Sequence, residues 1–317
     1  MNLPVFDLHC DTAYAILNNG AEERHSLRKN GLHIDLERAS AFKGFIQCFA
    51  CFTSPLDPLC QVLGTEQVFQ LEYNTLLCEF DKNADIIALA CNKNEISRNY
   101  AEGKMSAILT IEGTAGFGYD AGRLEELYSK GFRMTTLGWN EENPLTGSHC
   151  TGGGLTSRGR EYVKKAQALG MVVDVSHISD QGFWDIMDVT QSCVVASHSN
   201  SRTACPVSRN LTDEMFLAIC STGGVAGINL YSYFLGENPT IDAVCDHIFH
   251  FLTLDPTGKH IALGGDLDGC DRLPAGFDGV EGYFQLADRL MQRGISQEMI
   301  LDLFWNNAIG VIEQCCT

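Results

Sequence analysis

Short apolar runs alternate with amphipathic stretches along the chain, and that alternation sets the first expectation. The runs Val5–His9, Phe45–Phe52, Ser106–Ile111, Arg133–Trp139, Met171–His177, Cys193–His198, Gly224–Leu230 and His260–Asp266 read as strands. Their near-continuous apolar character, as in Val172-Val173-Asp174-Val175, fits parallel strands covered by helices. Between them Leu124, Leu127 and Tyr128 recur at helical spacing, as do Leu286, Ala287, Leu290 and Met291. Thr212 ahead of Asp213 and Glu214 is a helix start, because the hydroxyl caps and the acids suit the positive end of the dipole. Ile300, Phe304, Ala308 and Ile312, at steps of four, mark a last helix over about residues 296–314 that closes one end of the fold. Eight β-then-α units in 317 residues predict an α/β fold, a (β/α)8 TIM barrel forming one catalytic domain over residues 1–317. No Gly-x-Gly-x-x-Gly follows an early strand to favour an open doubly wound sheet, and no Pro-, Ser- or Gly-rich linker divides the chain.

Composition narrows the function mainly by exclusion. With 22 Lys+Arg against 40 Asp+Glu, the formal charge of −18 repels phosphate backbones and argues against a nucleic-acid partner. No window approaches the ~18 uninterrupted apolar residues of a membrane span. The start, Met1 to His9, lacks a basic stretch followed by an apolar run, and the end, Glu313-Gln314-Cys315-Cys316-Thr317, lacks a hydrophobic anchor signal. These features predict a cytoplasmic protein with no membrane partner. Fourteen cysteines form no repeated framework, so reduced thiols are expected; Cys48 and Cys51 sit in an apolar run as small hydrophobes.

The chemistry gathers at the predicted C-terminal ends of strands, where barrel enzymes carry their active sites. The first strand ends in Asp7-Leu8-His9-Cys10-Asp11, and residues two apart in extended chain face one side, so His9 and Asp11 can reach one cation together. Glu112 follows six mostly apolar residues, where a carboxylate is costly to bury unless paired or metal-bound. His177 and His198 end two further strands. Each histidine alone would read as a satisfied core or loop residue; together on strand ends that open into one cavity they read as metal ligands. Imidazole with carboxylate suits zinc, and a bridging carboxylate suits two zinc ions. In Gly264-Gly265-Asp266-Leu267-Asp268-Gly269, Asp266 can shuttle a proton, whereas Asp268-Gly269 reads better as a turn. Arg209, in Ser208-Arg209-Asn210, can fork onto a substrate carboxylate.

With these residues in view, the chain resembles the membrane dipeptidase family, whose best-known member is the renal enzyme, and looks like a bacterial-type soluble member. The likeness runs from about Phe6 to Ile312. It includes His9-x-Asp11, Gly103-Lys104 leading to Ile111-Glu112-Gly113, Val173-Asp174-Val175-Ser176-His177, Ser197-His198-Ser199, Ser208-Arg209-Asn210, Gly264 to Gly269 and Asn306-Asn307. The resemblance implies that His9 and Asp11 bind one zinc, His177 and His198 the other, and Glu112 bridges them. It also implies that Asp266 is the proton-transfer group, that Arg209 binds the substrate's C-terminal carboxylate, and that substrates are dipeptides, some with a D-residue at the C-terminal position. A homodimer is compatible with the family. One departure stands out: where family members such as the renal enzyme carry a histidine near the scissile bond, this chain has Trp139. Asn140, or His149 from the glycine-rich loop Thr146–Gly154, is a candidate to supply the missing donor.

The expected reaction is hydrolysis of a dipeptide by a hydroxide that bridges two zinc ions, with Asp266 passing the proton to the departing amine. The alternative is a related binuclear amidohydrolase acting on N-acyl amino acids, cyclic amides or lactones. Many such sites bridge their metals with a modified lysine, and no lysine ends a predicted strand here. A metal-dependent isomerase or lyase fits less well with a His-rich site, and a non-catalytic binding protein fits less well with a ligand set that has lost no member.

Overall fold

The computed structural model describes residues 2–18 and 26–316. Its strands are β1 (Pro4–Cys10), β2 (Gly44–Phe52), β3 (Ile87–Leu89), β4 (Met105–Glu112), β5 (Phe132–Thr136), β6 (Val172–Asp174), β7 (Val194–Val195), β8 (Ala226–Ile228) and β9 (Ile261–Leu263). They pair in parallel in the order β7-β6-β5-β4-β2-β1-β9-β8. The parallel bridge between Ala196 and Ala226 joins the two ends of that ladder, giving the nearly closed eight-stranded barrel of a (β/α)8 fold. β3 lies off the ring and pairs only with the first residues of β4, Met105 to Ala107. Its run Ile86-Ile87-Ala88-Leu89-Ala90 is apolar, but it has no polar chemistry at its end and adds no barrel stave.

Side chains divide by the two-residue strand period. Phe6, Leu8, Ile46, Cys48, Ile108, Met134 and Val172 fill the barrel interior together with Ala308, Val311 and Ile312 of the C-terminal helix. Val5, Phe45, Phe49, Leu109 and Ile111 face outward into the larger cluster beneath the helices. The C-terminal helix runs as Gln297–Leu301, a π-turn Asp302–Asn306, and Asn307–Cys315. Asn307 Nδ2 donates to the carbonyls of Gly258 and Ile261 at 2.7 and 2.8 Å, so the helix is tied to the start of β9, at the end of the barrel opposite the strands' C-termini.

Three differences from the sequence expectation bear on the site. Regular pairing stops at Thr136, Asp174, Val195 and Leu263, so Trp139, His177, His198 and Asp266 lie in turns beyond the strands rather than on them. The cause is visible at Asp174: its Oδ1 accepts the amides of Ser176 and Ser197 at 2.9 and 2.8 Å, replacing ladder bonds with a carboxylate clamp. β1 also slips. Asp7 pairs with Gln47, yet Cys10 pairs with Phe49, one residue short of regular register. A slip of one residue changes the face a side chain takes. It lets His9 reach the cavity although Phe6 and Leu8 already point into the barrel. Finally, Cys193, just ahead of β7, meets Cys315 of the C-terminal helix, a pair separated by 122 residues and so beyond what local spacing reveals.

Candidate metal centre and substrate cavity

Glu112 ends β4 on the face set by Ile108 and Thr110, pointing into the barrel mouth. Its two oxygens turn to different partners. Oε2 lies 3.3 Å from His9 Nε2, while Oε1 lies 2.8 Å from His177 Nε2 and 3.6 Å from His198 Nε2. On the first side, Asp11 Oδ2 and Asp266 Oδ1 stand 3.4 and 3.9 Å from His9 Nε2. On the second, the Nε2 atoms of His177 and His198 are only 3.0 Å apart. The structure thus brings together His9, Asp11, Glu112, His177, His198 and Asp266, which the sequence scatters over more than 250 positions.

The protons of the second set can be followed. Ser197 Oγ donates to Asp174 Oδ2 at 2.5 Å and therefore accepts from His198 Nδ1 at 2.6 Å. His177 Nδ1 donates to Asn140 Oδ1 at 3.0 Å. Both rings then present Nε2 lone pairs to each other and to a carboxylate. Burial drives both imidazoles well below the usual histidine pKa; His9 and Arg209 add to that, so neither ring carries a second proton, on Nε2, to relieve the crowding. Acceptors facing acceptors in a buried site call for a cation. His9 Nε2 and Asp11 Oδ1 are likewise buried with no hydrogen-bond partner among the described residues. Ligand atoms of His9, Glu112 and His198, and of His9, Asp11 and Asp266, lie within 4.8 Å of one another. Imidazole nitrogens with carboxylate oxygens are a donor set that fits divalent zinc.

The electrostatics agree with this division. Burial opposes charge on His9, but Glu112 and Asp11 outweigh it and hold the imidazole well above its usual pKa. Burial pushes Glu112 up to about 8, with Asp11 adding and His9 opposing. Burial raises Asp266 to about 6; Asp11 adds, while His9, Arg209 and the Asn229 amide, 3.1 Å from Oδ2, oppose. His177, Asp266 and Asp268 hold φ of +69°, +56° and +67°, a left-handed conformation that side chains rarely adopt and that clusters at functional sites. Gly269 completes the turn where any Cβ would strike the carboxylates of Asp11 and Asp266.

A cavity of 420 Å³ opens over the centre, lined by Asp11, Glu112, His177 and Asp266 and walled by Phe52, Trp139, Tyr231 and Phe234. A larger cleft of 870 Å³ lies at the other end of the barrel beside Trp305, but none of these ligand-type groups reaches it, so chemistry rather than size identifies the site. Arg209 is buried near the centre. Nη1 donates to Ser199 Oγ at 2.7 Å, Cζ lies 5.6 Å from the Phe234 ring, and Nε and Nη2 have no partner among the described residues. Trp139 packs edge-on to Phe52 at 5.1 Å and forms cavity wall. Asn140 also lines the cavity, but its Oδ1 is occupied by His177 and by His149 Nε2 at 2.9 Å. His149, expected as a stand-in donor to substrate, is not among the cavity-lining residues: both ring nitrogens are engaged, on Asn140 and on Ser208 Oγ.

The groups that hold the ligands lie outside the residues singled out from the sequence. Asp7 Oδ1 accepts the amides of His9 and Gly265 at 2.9 and 3.0 Å, and Tyr283 donates its hydroxyl to Oδ2. Asp174 does the same for the His177 and His198 turns. The signal was present: each is an acid inside an apolar strand, the same anomaly that marked Glu112. Asp268 is also more than a turn residue, accepting from Thr12 Oγ1 and from the His33 amide at 2.6 Å each.

Residues 1–317 match the protein family described as membrane dipeptidase, peptidase family M19. An uncharacterized dipeptidase of Schizosaccharomyces pombe is 30% identical over 332 residues, covering 97% of this chain and 79% of its own. A metallopeptidase from Rhodobacter sphaeroides, solved with a phosphinate mimic of the dipeptide L-Ala-D-Ala, superposes with a TM-score of 0.89 at 25% identity, covering 99% of this chain and 100% of its own. The solved metallopeptidase dipeptidase AC superposes with a TM-score of 0.88 at 26% identity, covering 100% and 99%.

Proposed function

This chain belongs to the membrane dipeptidase family of metallopeptidases, and on that premise we propose that it is a binuclear zinc dipeptidase acting on dipeptides with a free C-terminal carboxylate, L,D-dipeptides among them. The observation that carries the reading is the split of Glu112, one oxygen toward His9 and the other toward His177 and His198. His9 and Asp11 would hold one ion, His177 and His198 the other, and Glu112 would lie between them. When bound, two zinc ions acidify water and polarise a carbonyl.

The chain's own residues supply the rest. Arg209 offers its Nε–Nη2 edge, which matches a carboxylate in a two-bond fork and limits the substrate to short peptides. Asp266, with a pKa of about 6 and Asn229 steadying Oδ2, can take a proton and return it to the departing amine near neutral pH. Trp139 and Phe52 form an apolar wall that keeps water from one side of the cavity. The acidic lining of Asp57 and Asp268 favours a free ammonium over an N-acyl group, which sets dipeptides ahead of N-acyl amino acids. A panel of L,L- and L,D-dipeptides, assayed beside N-acyl amino acids and lactones on zinc-loaded protein, tests this reading. Turnover confined to the last two classes would overturn it.

A further inference from the structure

The loop that follows β5 is stitched to the turn that carries His177. The His149 amide donates to the His177 carbonyl at 2.8 Å, and Ser148 and Ile178 form an antiparallel bridge. Within this seam the His149 ring joins two functional parts. Its Nε2 is 2.9 Å from Asn140 Oδ1, the same oxygen that accepts from His177 Nδ1 at 3.0 Å. Because that oxygen can only accept, His149 Nε2 carries the proton and Nδ1 keeps its lone pair for the Ser208 hydroxyl at 3.1 Å. Burial, with Arg209 and Arg202, lowers the His149 pKa to about 4, which keeps the ring in this neutral form.

Ser208 precedes Arg209, and its loop is anchored on the far side. Arg202 donates to the Ser208 carbonyl at 2.9 Å and forks onto Asp180 at 2.7 and 2.8 Å. An unbroken path therefore runs from the Arg209 loop through Ser208, His149 and Asn140 to His177. We propose that His149 is a positioning residue that fixes the His177 ring through Asn140 and couples that ligand to the loop that grips the substrate carboxylate. Groups that orient metal-binding histidines commonly govern affinity by 10- to 100-fold. The His149 imidazole thus acts behind a ligand rather than upon the substrate, while Trp139 forms cavity wall.

The proposal rests on the reading of His177 as a ligand and Arg209 as the carboxylate clamp, and its first test is independent of turnover. In chelator titrations of zinc-loaded protein, His149→Leu should release one of two metal equivalents at about 10- to 100-fold lower chelator concentration than the parent. His149→Gln, which keeps an N–H for Asn140, should restore much of that retention, and adding His149→Leu to Asn140→Leu should cost little more than Asn140→Leu alone. Equal retention in folded His149→Leu and parent overturns the positioning role. The coupling is read in KM. His149→Leu and Ser208→Ala should each raise KM about tenfold for a dipeptide, the worth of one hydrogen bond, and leave its C-terminal amide unchanged. Parallel changes for acid and amide overturn the coupling. A protein that retains metal through His149 yet cleaves no dipeptide would overturn the dipeptidase reading alone.

Discussion

Arg209 gives one N–H to Ser199, from Nη1 to Oγ at 2.7 Å, and keeps its Nε–Nη2 edge buried and unpartnered among the described residues. A guanidinium is costly to bury unpaired, and burial lowers its pKa here. Ser199 therefore holds one end of the guanidinium and leaves free the edge that we propose takes the substrate carboxylate. Arg209→Met should reduce kcat/KM for dipeptides by about 100-fold or more, since truncating one member of a buried charge pair costs about 2–5 kcal/mol. The same variant should barely affect a dipeptide amide, and steady-state kinetics on the matched acid and amide distinguish the two.

Asp266 predicts a pH effect. Burial lifts its carboxyl to about 6 in the metal-free chain and bound zinc beside it would lower that value, so activity should rise as the carboxyl ionises at or below pH 6. Asp266→Asn should keep its metal and lose about 10²–10⁴ in kcat. The acidic limb of the pH–rate profile should vanish with it.

Metal-free protein should respond to pH in its own way. Glu112, raised to about 8, and His9, raised well above its usual value, bind more protons in the folded than in the unfolded chain. Their contribution to stability is full below the unfolded pKa and is lost as pH rises toward 8. His177 and His198, shifted the other way, oppose this only below about 6.5, where the unfolded chain's histidines protonate. From pH 6.5 to 8 the metal-free protein should therefore lose stability. Zinc displaces the Glu112 proton, so the rise in Tm on loading should grow across the same window. Thermal melts with and without zinc at pH 6.5, 7.2 and 8 measure both trends.

Asp174 predicts a structural effect with a functional consequence. It accepts two amides and the Ser197 hydroxyl, which in turn sets the His198 tautomer. Asp174→Asn should destabilise the fold by about 2–4 kcal/mol, as expected for buried hydrogen bonds to a charged acceptor. It should also weaken zinc retention, whereas a substitution at an exposed acid such as Glu313 should alter neither. Urea unfolding and chelator titration read the two effects.

Much of this was legible in the chain. Apolar runs placed all the barrel staves, because buried parallel strands leave a local pattern. His9, Glu112, His177 and His198 stood out as costly groups ending those runs. What the runs did not show is non-local. The slip that turns His9 inward depends on how β1 pairs with β2, and the early end of β6 depends on Asp174 bonding across to Ser197. His149 read as a loop residue near the substrate because nothing in Thr146–Gly154 reveals that Asn140 and Ser208 will flank it. The meeting of Cys193 with Cys315 is hidden for the same reason.

On this reading His9, Asp11, Glu112, His177 and His198 together hold two zinc ions, and those ions make the chain a dipeptidase. Metal-stripped protein titrated with zinc, with bound metal and hydrolysis of an L,D-dipeptide followed together, tests it. Two equivalents should bind, turnover should appear only as the second site fills, and Glu112→Gln should lose both binding and turnover. Full activity in metal-free protein, or turnover that saturates at one equivalent and survives Glu112→Gln, would contradict it.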